Sequence, residues 1–231
     1  MILAAGRGTR LAPIGLTVPK ALVQIGGRPL LQSQIDYLAR EGIERIVVNA
    51  HHRAEAIEAF VRDYRGPVAV GVAREPKLLG TAGAVRNVLH LLGPEAFFVL
   101  YGDVVIDEPL APIADEHRIR GAEATITVYE SDGIESKGTV VVDEGGWVRS
   151  FVEKQSVRQR PALVNAGLYL LEPRFVAELP SETEIDFGHE VFPAALARGA
   201  RVLAHRLAGP VIDVGTPEGL SEARARAAQG R

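Results

Sequence analysis

Two glycines and a hydroxyl follow the first apolar run of the chain, in Leu3-Ala4-Ala5-Gly6-Arg7-Gly8-Thr9-Arg10-Leu11. Glycine lets a backbone come close to a phosphate, and successive amides in such a turn can form an anion-binding nest. An ordinary tight turn explains the two glycines equally well. Neither familiar phosphate loop fits. The dinucleotide fingerprint needs a third glycine where Leu11 stands, and the P-loop needs a Gly-Lys-Ser/Thr that is missing. Two cations come next, Arg10 and, in Val18-Pro19-Lys20, Lys20. Together they could hold the β- and γ-phosphates of a nucleotide and offset charge on a departing pyrophosphate. Taken singly, each reads as a surface cation. Two carboxylates stand out further on: Asp103 in Tyr101-Gly102-Asp103, and Asp213 in Val211-Ile212-Asp213-Val214-Gly215-Thr216-Pro217. In isolation the first reads as a turn residue and the second as a helix cap.

These residues need elements to place them. Ile2 to Ala5, Arg45 to Ala50, Val68 to Ala73 and Phe97 to Tyr101 read as strands. Between them, Leu31, Ile35, Leu38 and Ala39 repeat at helical spacing with Gly42 as a stop, and Ala54, Ile57, Phe60, Val61 and Tyr64 give a second helix. Ala82 to Leu92 gives a third. Strand and helix in turn predict a parallel sheet covered on both faces, with ligands at the carboxyl ends of the strands. Asp103 should therefore stand at the end of its strand. After about residue 122 the rhythm changes. Ala124 to Tyr129, Gly138 to Val142, Trp147 to Val152 and Leu163 to Leu171 read as strands, with a hairpin tip at Asp143-Glu144-Gly145-Gly146. Helical patterns return near Val191 to Arg198 and from Pro217 onward.

Composition narrows the function classes. The 231 residues suit one large α/β domain, and 47% hydrophobic with 24% charged residues is ample for a core without a disulfide or metal staple. There is no cysteine, which excludes thiol nucleophiles, zinc-thiolate sites and redox pairs. A formal net charge of -3 with no basic stripe argues against a nucleic-acid partner. No apolar run is long enough to span a bilayer, and the opening residues lack the plan of a signal peptide, so the expectation is a cytoplasmic protein with no membrane partner. A homodimer is left open. None of the six histidines has metal-ligand spacing, and the adjacent His51 and His52 read as solvated loop residues.

GRGTRLAPIGLTVPKAL resembles the signature of the sugar-1-phosphate nucleotidyltransferase family, Gly-x-Gly-Thr-Arg followed by Pro and then Pro-Lys. The resemblance runs through the whole chain, because further family motifs recur in order. Members it resembles include mannose- and heptose-1-phosphate guanylyltransferases, whose likeness lies in Leu79-Gly80-Thr81-Ala82-Gly83-Ala84, and glucose-1-phosphate thymidylyltransferases. It implies a single domain over 1–231, with a nucleotide-binding half (1–122) and a sugar-phosphate-binding half (123–231). The implied fold is a Rossmann-like three-layer α/β/α arrangement with a mostly parallel, mixed central sheet. The implied reaction joins a nucleoside triphosphate and a sugar 1-phosphate, with Mg²⁺ as cofactor.

The resemblance also assigns residues. Leu3, Ala5, Gly6, Gly8, Thr9 and Arg10 would bind the nucleotide, and Arg10 and Lys20 would act on its phosphates. Asp103 and Asp213 would hold Mg²⁺, which suits hard oxygen ligands. Glu153-Lys154 resembles the family's Glu-Lys pair, the glutamate bonding sugar hydroxyls and Lys154 holding the sugar phosphate; Gln155 stands where relatives usually have proline. Asn165 and Gly167 match the sugar-binding Asn-Ala-Gly segment, for which a strand with a glycine bulge is the plainer reading. Gly138 matches another sugar-side glycine. Glu75, Gly80 and Thr81 fall in the base-binding segment, with Gly80 admitting the base. Thymidine- and uridine-using members often have glutamine near position 75. A carboxylate there can accept from guanine N1–H and N2–H, which tilts the expectation to GTP, while a capping or surface role for Glu75 stays open. Asp186 reads first as the cap of the following helix. The alternatives are a thymidylyl- or uridylyltransferase acting on a hexose 1-phosphate, or a non-catalytic nucleotide-sugar-binding regulatory subunit. The chain opens later in its first strand than such relatives do, which leaves either an upstream start or a loosened site edge. No left-handed β-helix domain is expected within these residues.

Overall fold

The computed structural model describes residues 1–6, 8, 11, 18–132, 138–153 and 161–229. The chain packs as two compact units, Met1–Leu78 with Leu100–Asp107 and Gly209–Arg231, and Leu79–Val99 with Glu108–Ala208.

In the first unit the short strand Ile2–Leu3 lies parallel to Arg45–Ala50 on one side (Ile2↔Val48, Leu3↔Asn49) and to the end of Phe97–Tyr101 on the other (Ile2↔Leu100, Leu3↔Tyr101). Ala69–Arg74 adds outside Arg45–Ala50, also in parallel. Ile46, Val47 and Val48 are all buried, the continuous apolar run of a strand covered on both faces. The helix Leu30–Arg40 turns Leu30, Leu31, Ile35 and Leu38 inward, each at most 2% exposed, and burying one such side chain is worth about 1.5–3 kcal/mol. Val104–Val105 pairs antiparallel with Ile212–Asp213. Ile212 and Val214 then join Leu11, Val23, Leu30, Leu220 and Ala223 in one apolar cluster, which anchors the helix Pro217–Ala228.

In the second unit, Ala162–Leu171 runs antiparallel to Ala124–Ser131 and to Gly138–Val142, and Gly138–Val142 is antiparallel to Val148–Glu153. Val202–Arg206 lies parallel to Ala124–Ser131. The hairpin tip falls where expected. Asp143 Oδ1 accepts from the Gly145 and Trp147 amides, each at 2.9 Å, and these bonds hold its carboxyl below the ordinary carboxylate range, the Trp147 amide foremost. The helix expected over Ala82 to Leu92 is instead Gly80–Asn87 and Leu89–Leu92. Around Val88 the bonds tighten to i→i−3 (Val88 N–H to Val85 O, Leu91 N–H to Val88 O), which breaks the regular helix. Tyr169, Phe187 and Phe192 form an aromatic core with centroids 5.2–5.5 Å apart, and Phe151 packs on Phe192 at 5.2 Å.

His117, on the helix Leu110–Arg120, is 3% exposed and shares a 2.7 Å hydrogen bond through Nδ1 with Thr125 Oγ1. Burial lowers its pKa below 6.5, outweighing the opposite pull of Glu172. Below pH 6.5 the unfolded chain therefore takes up a proton that the folded chain resists. Stability should fall as pH drops from 6.5 toward the folded-state value, with no contribution from this group above 6.5. Urea melts between pH 5 and 7.5 should show less of this slope in His117→Gln than in the unmodified chain.

Candidate active site

Parallel register brings the ends of four strands to one level in the first unit. Leu3 aligns with Asn49 and Tyr101, and Asn49 with Ala73. The segments that leave these ends begin at Ala4, His51, Glu75 and Gly102-Asp103. Among the described residues, no atom lies within 4 Å of where a Cβ would sit on Gly6, and Gly8 has a φ of 65°. Thr9 and Arg10 lie outside the described residues.

Asp103 sits at the carboxyl end of its strand, and its carboxylate pairs with the Lys20 ammonium; the two side chains are 24% and 12% exposed. Gly102 makes the turn possible. Its N–H donates to Leu3 O at 2.9 Å, and a Cβ there would lie 2.5 Å from that same oxygen. Asp213, remote in sequence, comes to the same turn: Asp213 pairs with Val104, and the Val214 N–H donates to Asp103 O at 2.8 Å. Asp213 Oδ1 accepts from the Gly215 N–H at 2.7 Å. It does not cap the following helix; Thr216 does, accepting from the Gly219 N–H at 3.1 Å.

Glu75 is neither a surface group nor a helix cap. It is 3% exposed, and its Oε1 accepts from Asn49 Nδ2 at 2.7 Å. Asn49 Oδ1 in turn accepts from the Ala4 N–H at 2.7 Å, so the loop entrance and Glu75 share one buried amide. His51 is not simply solvated, because its Nδ1 lies 2.9 Å from Glu75 O.

In the second unit, Gly138 pairs with Glu153, and Val164 pairs with Thr139, which carries Asn165 to the level of Gly138. Three sugar-side candidates thus stand on neighbouring strands. The side chain of Glu153 and the whole of Lys154 lie outside the described residues. Between Asn165 and Tyr169 the ladder with Ala124–Ser131 shifts register, the bulge suggested by the Asn-Ala-Gly sequence. Asn165 spans it, donating from Nδ2 to the Tyr169 hydroxyl at 2.6 Å and accepting the Gly167 N–H at 2.9 Å.

Gly80 has a φ of +69°, and a Cβ there would fall 2.4 Å from Ile185 O. The close approach that requires glycine is thus made by the protein's own backbone. The Thr81 hydroxyl donates to Asp186 Oδ2 and accepts from the Phe187 N–H, both at 2.8 Å. Asp186 caps as expected, accepting from the Gly188 and His189 amides, while Glu190 Oε2 accepts from the Asp186 N–H at 2.7 Å. This is a reciprocal capping arrangement.

The family model for nucleotidyl transferases matches residues 1–230. The chain belongs to that family. It is 34% identical over 230 residues to the UTP–glucose-1-phosphate uridylyltransferase of Synechocystis, covering 93% of this chain and 59% of that protein. It is also 34% identical over 229 residues to the mannose-1-phosphate guanyltransferase of Schizosaccharomyces pombe, covering 94% and 61%. The chain thus spans about three fifths of the length of the curated relatives it matches. Among solved structures, HddC from Yersinia pseudotuberculosis in complex with GMP-PN aligns with a TM-score of 0.85 and 27% identity over 97% of both chains. The fold is the expected α/β type, with a mostly parallel, mixed sheet and flanking helices. Among the described residues no helix is long and apolar enough to cross a membrane.

Two positioning residues escaped sequence reasoning. Asn49 is one, hidden in the apolar run RIVVNA. Gln34 is the other. Buried on the helix Leu30–Arg40, it donates from Nε2 to Tyr101 O and Val104 O, each at 2.8 Å, and so braces both sides of the Gly102-Asp103 turn. Gln34→Leu would remove both of these buried hydrogen bonds and should cost about 1–3 kcal/mol. A chemical melt should register that loss, and turnover should fall further than the melt alone explains, because the Asp103 turn loses its brace.

Proposed function

We propose that this chain transfers a nucleotidyl group from a nucleoside triphosphate to a sugar 1-phosphate, releasing pyrophosphate. The observation that carries this reading is the turn where Asp103, paired with Lys20, meets the Asp213 segment at the carboxyl end of a parallel strand. An oxygen of the sugar phosphate attacks the α-phosphorus, a new P–O bond forms, and the bond to the β-phosphate bridge breaks. The attacking phosphate is already ionised near pH 7, so the chain need not supply a base. Positioning and charge stabilisation do the work.

Asp103 and Asp213 are the residues that would hold Mg²⁺. They fit it: both are hard oxygen donors, and Asp103 already binds a cation, the Lys20 ammonium. When bound, the ion would neutralise charge on the α-phosphate oxygens. Lys20 then turns to the phosphates, Arg10 to the leaving pyrophosphate, and the amides of Leu3 to Gly8 to the nucleotide. On the second unit, Lys154 takes the attacking phosphate, and Gly138, Glu153, Asn165 and Gly167 take the sugar. The row of Gly138, Glu153 and Asn165 on adjacent strands supports that division of labour.

GTP with mannose or heptose 1-phosphate is the preferred pair. Glu75 offers only acceptors to a base, and the Schizosaccharomyces pombe relative is a mannose-1-phosphate guanyltransferase. The Synechocystis relative, a uridylyltransferase, favours the second reading, UTP with a hexose 1-phosphate. Pyrophosphate release with Mg²⁺, across the common nucleoside triphosphates and a panel of sugar 1-phosphates, separates them. Release confined to GTP supports the first pair, and release with UTP or dTTP keeps the reaction and replaces the base. Silence from folded protein in the presence of tight nucleotide-sugar binding would replace the enzyme by a regulatory subunit.

A further inference from the structure

We propose that Tyr169 and Thr127 are positioning residues for the sugar 1-phosphate, acting through the bulge Ala166-Gly167-Leu168 and the Asn165 that opens it. The inference rests on the reading of Asn165 and Gly167 as residues that meet the sugar. Asn165 pairs with Val128 and Tyr169 with Ile126, so Ala166, Gly167 and Leu168 stand opposite Thr127 alone. A bulge commonly carries one extra residue, and this one carries two. Gly167 permits it with a φ of 78°, in the left-handed region that favours glycine. All three residues are buried, so the backbone groups that leave the ladder need partners inside the protein.

Side chains supply those partners. The Gly167 N–H donates to Asn165 Oδ1 at 2.9 Å, and the Thr127 hydroxyl donates to Leu168 O at 2.8 Å. The first bond decides which way round the Asn165 amide lies, because a backbone N–H can only donate and must meet the oxygen. Nδ2 is then the group that reaches the Tyr169 hydroxyl, at 2.6 Å. Asn165 is thereby clamped at both ends of its amide, half-buried at the level of Gly138. An asparagine so held keeps one N–H and one lone pair, the donor and acceptor that a sugar hydroxyl engages. Tyr169 and Thr127 are each 0% exposed, so they act through the bulge and not on the sugar itself. The Tyr169 ring packs edge-on against Phe187 and Phe192, which makes its hydroxyl a fixed point of the core. Without that point the Asn165 amide swings, and ordering it again on binding costs affinity for the sugar.

The test is steady-state kinetics with Mg²⁺ on two substrate pairs, GTP with mannose 1-phosphate and UTP with glucose 1-phosphate. The unmodified chain is compared with Y169F, T127V, N165A and N165A/Y169F, each checked by thermal melting. The readout is the KM for the sugar 1-phosphate set against the KM for the nucleoside triphosphate. Y169F removes one oxygen and keeps the ring in the core. It should raise the sugar KM by about 5- to 20-fold, the equivalent of one hydrogen bond, and leave the nucleotide KM within about twofold. T127V should raise the sugar KM by about 3- to 10-fold through the slackened bulge. N165A should raise it at least as far as Y169F, and N165A/Y169F no further than N165A, since the hydroxyl then has nothing to position. If N165A raises the sugar KM while Y169F and T127V leave it unchanged, the inference falls and the Asn165 reading stands. Variants that raise both KM values alike give the mark of lost packing and also overturn the inference. A double variant worse than N165A by the whole Y169F factor does the same. A sugar KM unmoved by N165A, or turnover of neither pair by the folded unmodified chain, overturns both. If Y169F does not fold, T127V carries the test, and an unchanged sugar KM in that variant overturns the inference.

Discussion

Asp103→Ala should lower kcat by about 10³-fold or more, which corresponds to about 4 kcal/mol of transition-state stabilisation. The loss has two sources. The carboxylate assigned to Mg²⁺ is removed, and the Lys20 ammonium loses the partner that holds it beside the Gly102-Asp103 turn. The fold should survive, because Asp103 contributes its backbone carbonyl to Val214, and alanine keeps that carbonyl. Single-turnover assays over a Mg²⁺ titration, with circular dichroism as the check on folding, make the measurement. Asp213→Ala should behave alike, since its segment meets the same turn. Near-normal turnover in a folded Asp103→Ala would remove the metal assignment altogether.

Gly80→Ala should be strongly damaging to the second unit. A side chain at φ +69° is strained by about 1 kcal/mol, and its Cβ would also meet Ile185 O at 2.4 Å, far inside contact distance. Relief requires moving the 183–185 segment, whose Ile185 carbonyl also accepts from the Ala82 and Gly83 amides. A total of about 2–4 kcal/mol follows, and a melting point lower by about 5–15 °C. Gly71→Ala is the matched control. It lies on Ala69–Arg74, its Cβ would meet nothing within 4 Å, and its backbone is not left-handed, so its melting point should stay within a few degrees. Comparable melts for the two variants would show that the Ile185 contact is not a constraint.

Much of this was legible in the sequence, for physical reasons that differ by residue. FFVLY followed by Gly-Asp is apolar enough to force a buried strand and polar enough to end it, so Asp103 could be placed at the strand end. The Asp186 cap and the Asp143 hairpin tip are local chemistry, readable from a few neighbours. The helix Leu110–Arg120 was not legible. Its buried stripe is Leu110, Ile113 and His117, with Pro112 inside it, so a histidine stands where the pattern wants an aliphatic residue. Val202–Arg206 was missed because VLAHR is short and ends polar, and only its pairing with Ala124–Ser131 makes it a strand. Gln34 reads as one more polar position on an amphipathic helix, and Asn49 as an interruption of an apolar strand. Their importance lies in which backbone groups they meet, and those partners are far away in sequence. The same holds for Gly80, whose close approach to Ile185 O joins segments about a hundred residues apart.

The pairing of Ile212–Asp213 with Val104–Val105 also sets an order of events during synthesis. Lys20 and Asp103 emerge from the ribosome early and can meet as soon as the first strands align. The second carboxylate belongs to a segment made only after the whole second unit, and it is anchored by Leu220 and Ala223 packing on a cluster that includes Leu30. A nascent chain therefore carries its opening loop and its Lys20–Asp103 pair while Val104 and Val105 still lack their strand partner. Until the helix Pro217–Ala228 docks, those residues form an unfinished edge open to pairing with another chain.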